Sequence, residues 1–132
     1  MADNLSDFAE NGLLDLSVND GAWPGAAACY LALFTTATDD AAGGTEVSGN
    51  AYARMTVPAG SWAAASGGSK STSADVNFVA ASGSWGTITH VALYDAVTAG
   101  NRIWHGALTA SKAIGTGDVF RMASGQLTLT LA

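Results

Sequence analysis

At 132 residues the chain has the size of one domain and can bury a core without help from a disulfide or a metal. A single cysteine excludes an internal bridge, and a net charge of −6 argues against a nucleic-acid partner. The charge is also lopsided: the first 53 residues carry eight acids and no lysine or arginine, and the remainder carries three acids and five scattered bases, Arg54, Lys70, Arg102, Lys112 and Arg121.

The opening Met1-Ala-Asp-Asn is acidic where a signal peptide would be basic. Residues 4–16 read as a helix, because Leu5, Phe8, Ala9, Leu13 and Leu16 fall on one face. Asp3 or Asn4 would cap its first amides, and the early acids suit the positive end of the helix dipole. Gly12 costs about 1 kcal/mol relative to alanine inside such a helix, or ends it early. The apolar stripe packs on its own domain or docks on a neighbouring subunit.

The first strongly apolar run, Trp23 to Phe34, is too short to cross a bilayer and contains Pro24 and Gly25, so no membrane contact and a soluble chain are expected. Cys29 within it reads as a small buried hydrophobe. A nucleophile would need a histidine and an electropositive pocket, and a free thiol fits assembly in a reducing cytoplasm.

From Cys29 onward, strand-like runs near 29–35, 51–57, 74–79, 86–95, 102–109, 117–122 and 125–131 are separated by Gly, Ser, Asn and Asp. Alternation sets Leu127, Leu129 and Leu131 on one face against Thr128 and Thr130. The same rule places Thr89, Val91 and Leu93 opposite Ile88, His90, Ala92 and Tyr94. Between Ala59 and Ser73 the text is of low complexity, and Trp62 argues for a loop with some extended pairing. No helices alternate with the strands, as a parallel sheet would require. The chain is expected to be mainly β, an antiparallel β-sandwich or jelly-roll-like single domain over 1–132, with a helical segment at 1–20 and the sandwich at 28–132.

Candidate chemistry is sparse. His90 and His105 lie on adjacent predicted strands joined through Thr98-Ala-Gly-Asn101, but two histidines make a poor zinc site, and Asp95 joins them only if a register is assumed. Ser84, His90 and Asp95 would be an arbitrary triad in so serine-rich a chain, and no Gly-x-Ser-x-Gly elbow is present. Gly43-Gly-Thr-Glu-Val-Ser-Gly49 lacks the lysine of a phosphate loop, so its glycines are assigned to a turn. Arg54 pairs with Glu46 or with an acid on another copy. Trp23, Trp62, Trp85 and Trp104 serve packing, or stack against a glycan if exposed. No cofactor, metal or catalytic residue is assigned, and no enzymatic activity is expected.

Leu31-Ala-Leu-Phe-Thr-Thr-Ala37 with Gly43-Gly-Thr-Glu-Val-Ser-Gly-Asn-Ala-Tyr-Ala-Arg54, and Trp85-Gly-Thr-Ile-Thr-His-Val-Ala-Leu-Tyr-Asp95 with Arg102-Ile-Trp-His-Gly-Ala-Leu108, resemble a family of small virion structural proteins of tailed bacteriophages. The opening fifteen residues and the closing Gly125-Gln-Leu-Thr-Leu-Thr-Leu131 extend the resemblance over nearly the whole chain. The resemblance implies a virion component made in the host cytoplasm, foremost a capsid decoration or cement protein that binds the major capsid protein or other virion subunits. Its alternative is a tail-tip or fibre-associated module in host recognition, with glycan as a possible ligand. It also favours a homotrimer. The candidate contact residues are Asp3, Asp7 and Glu10 of the helix, and Glu46 and Arg54 of the glycine-rich loop.

Overall fold

The computed structural model describes residues 4–18 and 28–131. The expected helix begins later than its apolar pattern suggests. Asn4–Leu5 form a short strand (β1), and the helix runs over Asp7–Ser17 (α1). Its cap is Ser6, whose Oγ accepts from the Ala9 amide at 3.3 Å, so Asn4 is not the cap and Asp3 lies outside the described residues. Ser6 is buried because the same hydroxyl donates to the Arg102 carbonyl and its amide donates to Ile103 O. These contacts draw Leu5 into the sheet and delay the helix by a turn. Gly12 sits inside α1 and does not end it.

The remaining strands are β2 (Ala28–Phe34), β3 (Met55–Pro58), β4 (Ser69–Ser71), β5 (Val76–Asn77), β6 (Gly86–Tyr94), β7 (Arg102–Ile114), β8 (Arg121–Met122) and β9 (Thr128–Thr130). β1 and four of these make an antiparallel sheet in the order β1-β7-β6-β2-β3, and β4/β9 and β5/β8 form two small ladders. The chain is mainly β and sandwich-like. Leu31 and Leu33 of β2, Val57 of β3 and Val91 and Leu93 of β6 meet Val76, Phe78, Phe120, Met122 and Leu127 from the ladders and their flanks. On the opposite face Ala32, Phe34, Ala92 and Tyr94 make a smaller apolar cluster. Residues 31–34 are thus buried on both sides, which is why this strand reads as an unbroken apolar run.

Two irregularities break the expected alternation. Register slips between Ile88 and His90, where Ile88 pairs with Lys112 but His90 pairs with Ala107. One residue of β6, Thr89, stands opposite the four residues 108–111 of β7, and this break in pairing lets Ile88 join Val91 and Leu93 in the main core rather than face away from them. On β7 the residues 108–111 bulge outward opposite it. At the C-terminus Leu127 is fully buried, but Leu131 is exposed beyond the end of β9.

The low-complexity stretch is a 3-10 turn (Ala59–Ser61) followed by β4, with isolated bridges Trp62↔Thr72 and Ser66↔Ser69. It is a loop with extended pairing, as expected. No described helix is long and apolar enough to cross a membrane.

Candidate functional site

The Gly43–Arg54 loop is built around a partly buried ion pair. Phe34 bridges Glu46, and Val47 N donates to Leu33 O at 3.0 Å, so the loop lies alongside the end of β2. Reaching that position requires a left-handed residue at Gly44 (φ 102°), where a Cβ would stand 2.9 Å from Ala37 O. Glu46 is thereby presented to Arg54, which donates from Nε and Nη2 to the two carboxylate oxygens at 2.9 Å each.

Arg54 does more than pair with Glu46. Its Nη1 donates to Ala96 O at 3.0 Å and Ala99 O at 2.7 Å, and its guanidinium lies 3.7 Å from the Tyr94 ring centroid. The side chain is only 7% exposed. Burial works against its charge, but the hydrogen bonds and charge of Glu46 prevail and hold its proton affinity above the ordinary value. Arg54 therefore clamps the glycine-rich loop to the β6–β7 turn, and its donors are satisfied within the chain.

Tyr52 completes the clamp, donating to Glu46 Oε1 at 2.8 Å and accepting from Leu33 N at 3.0 Å. Burial, then the neighbouring Glu46 charge, pushes its phenol well above the usual value of 10.0, against the opposing pull of the Leu33 amide. A raised acid holds its proton more tightly when folded, so its contribution is complete below the unfolded pKa and falls away as pH rises past it. Urea midpoints should therefore drop more steeply above about pH 10 for the native protein than for Tyr52→Phe. Parallel slopes would refute this.

The same scaffold links the loop to the helix. Arg102, 3% exposed, donates to Tyr94 Oη from Nε and Nη2 and to Asp39 O from Nη1, so Tyr94 lies between two guanidinium groups. Asp40 O accepts from Asp7 N at 3.3 Å, and Asp40 Oδ1 meets His105 Nε2 at 2.7 Å. Asp7 and Glu10 are exposed in the first turn of α1. Helix start and loop are thus connected through Asp39, Asp40, Arg102 and Tyr94. Sequence reading missed the linkage because most of its contacts are distant in the chain: Arg102 meets Asp39 across 63 residues, and His105 meets Asp40 across 65.

His90 and His105 do come to one place. With Asn4, Thr38 and Thr109 they line an open hollow of about 360 Å³. His105 Nδ1 lies 2.9 Å from Thr38 Oγ1, and His90 Nδ1 lies 2.8 Å from Thr89 Oγ1. Asp95 is elsewhere, accepting from the Asn101 amide and side chain across the β6–β7 turn. Ser84 Oγ accepts from Gly86 N at 3.1 Å. The arbitrary triad is therefore not assembled, and among the described residues no three His, Cys, Asp or Glu side chains gather as metal ligands. Cys29 is half-buried, and burial followed by the Asp95 charge raises its thiol above the usual range, which keeps the reactive thiolate scarce.

Trp85 is buried, with Nε1 donating to Asn50 O at 2.9 Å, and Trp62 and Trp104 pack against the core. Trp23 falls outside the described residues. All three described indoles pack on the core, Trp85 fully and Trp62 and Trp104 in part.

Residues 4–130 match the family described as podophage GP4 fiber I protein gp80. The chain belongs to that family. It is accordingly a phage virion structural protein, and the family description favours the fibre alternative over capsid decoration. No curated protein matches the sequence.

Proposed function

We propose that this member of the fibre family is a structural module whose exterior takes part in attachment to the host surface, acting by shape and polar complementarity without making or breaking bonds. The observation that carries the reading is the fibre-family match across residues 4–130. The geometry supports it physically: buried arginines fix the loops in place, which lowers the entropy lost when a rigid rim meets a ligand. Other virion subunits hold the module in the particle.

For the ligand, the hollow around His90 offers an amide, two threonine hydroxyls and imidazole nitrogen in an open setting. Such a set suits a hydroxyl-rich ligand, and host-surface glycan is the class it fits. Purified protein should bind host cells or their isolated polysaccharide, and Asn4→Ala combined with His90→Ala should weaken that binding about tenfold with the fold intact by circular dichroism. Unchanged binding would remove the hollow from the proposal. Gold-labelled antibody on virions should decorate the fibre, and label confined to the head shell would overturn the whole reading.

A further inference from the structure

α1 is an incompletely buried helix. An 11-residue helix containing Gly12 is marginal on its own and needs tertiary packing to persist, yet within it only Ala9 is buried. Leu14 is 65% and Val18 73% exposed, and Phe8, Leu13 and Leu16 are also exposed. A shallow apolar depression of about 410 Å³ runs beside the helix between Leu5, Leu13 and Leu14. Every charge on the described part of this segment is negative: Asp7, Glu10 and Asp15.

Elsewhere the protein carries the complementary surface. The outward bulge of β7 stands over a groove of about 310 Å³ whose apolar side is half-buried Leu108 above the buried Phe120 and Met122, edged by Lys112, Arg121 and Gln126. Arg54 and Arg102 are committed internally, so this groove holds two of the remaining three bases. Among the described residues no carboxylate lies within ion-pair distance of Lys112. Arg121 meets Asp75 at 2.7 Å, but both side chains are substantially exposed and the pair is weak enough to exchange partners.

We propose that copies of this chain associate head to tail, with the acidic, apolar helix α1 of one copy seated in the Lys112–Arg121 groove of the next. Charge selects this arrangement over a symmetric one: two α1 helices face to face would set Asp7, Glu10 and Asp15 against their own copies, whereas the groove supplies opposite charge beside an apolar wall. The contact is heterologous, so it closes a ring or extends a filament according to the rotation between copies. It goes beyond the attachment reading and is independent of the glycan ligand.

Sedimentation velocity of the full chain tests it. The native protein should self-associate at low salt and loosen at about 0.5 M salt, where charges are screened within a few ångströms. Leu14→Asp should weaken association at least tenfold, and so should a helix reversal (Asp7→Lys, Glu10→Lys, Asp15→Lys) and a groove reversal (Lys112→Glu, Arg121→Glu). Mixing the two reversed proteins should restore complexes that neither forms alone. Leu14→Cys should form a disulfide with Gln126→Cys on a different copy. A native protein that stays monomeric at all concentrations, a mixture that fails to associate, or a Leu14→Cys product linked only to itself would each overturn the proposal. Because the readout needs neither virions nor host cells, it fails or succeeds separately from the attachment reading.

Discussion

Replacing Arg54 with methionine should cost about 3 kcal/mol of folding stability, and replacing Glu46 with glutamine in the same protein should recover part of that loss rather than add to it. The sign follows from burial. Removing the guanidinium strands a carboxylate that is 26% exposed and has lost both of its charge-assisted hydrogen bonds. Neutralising that carboxylate then relieves the penalty, while the glutamine oxygen still accepts from Tyr52. Urea denaturation of the four proteins in a double-mutant cycle measures the coupling. Strictly additive losses would mean that the pair behaves as an ordinary surface contact. The consequence is mechanical as well as energetic, because Arg54 Nη1 also holds Ala96 O and Ala99 O. Loss of the clamp should raise hydrogen exchange in both the glycine-rich loop and the β6–β7 turn, with the sheet interior protected.

What the sequence disclosed follows from how local each determinant is. The β2 run was legible because burial on two faces leaves a continuous apolar stretch, and the β6–β7 hairpin because its strands are separated by a short polar turn rich in small residues. Glu46 and Arg54 are eight residues apart, near enough to be considered as a pair. Their shared partner Tyr94 was not visible, since its approach depends on the registers of β2, β6 and the loop together. Ile88 was assigned to the wrong face for a related reason. A break at which one residue of β6 opposes four of β7 shifts the alternation beyond it, and nothing in Gly-Thr-Ile-Thr-His announces it. The helix start failed differently: Asn4 is a good cap by type, but Ser6 wins because its hydroxyl and amide both have partners on β7. Among the candidate contact residues, Asp7 and Glu10 remain free at the surface. Glu46 and Arg54 are engaged with each other, which makes them supports for the rim.

Phe120→Ala should be the most damaging single truncation, with an expected loss of about 4 kcal/mol and a smaller loss for Phe120→Leu. Phe120 is 1% exposed and packs edge-on against Phe78 at 5.6 Å between ring centroids, and Phe78 in turn contacts Tyr52 and Trp85. Its backbone carbonyl accepts from Phe78 N at 2.9 Å, so side chain and main chain join the same two segments. The cavity left by alanine would open where the thin ladder layer meets the five-stranded sheet. That layer consists of two- and three-residue strands and has little pairing of its own to resist collapse or detachment. A loss of this size is a large share of the roughly 5–15 kcal/mol typical of a domain. Chemical denaturation gives the magnitude, and a loss below about 1 kcal/mol would show that the two layers are held together elsewhere. Phe120 also floors the Lys112–Arg121 groove, with the Lys112 ammonium 5.6 Å from its ring centroid. With only 1% of Phe120 exposed, a partner in the groove would meet Leu108 and Lys112 rather than the ring, so Phe120→Leu should lower folding stability more than it weakens self-association.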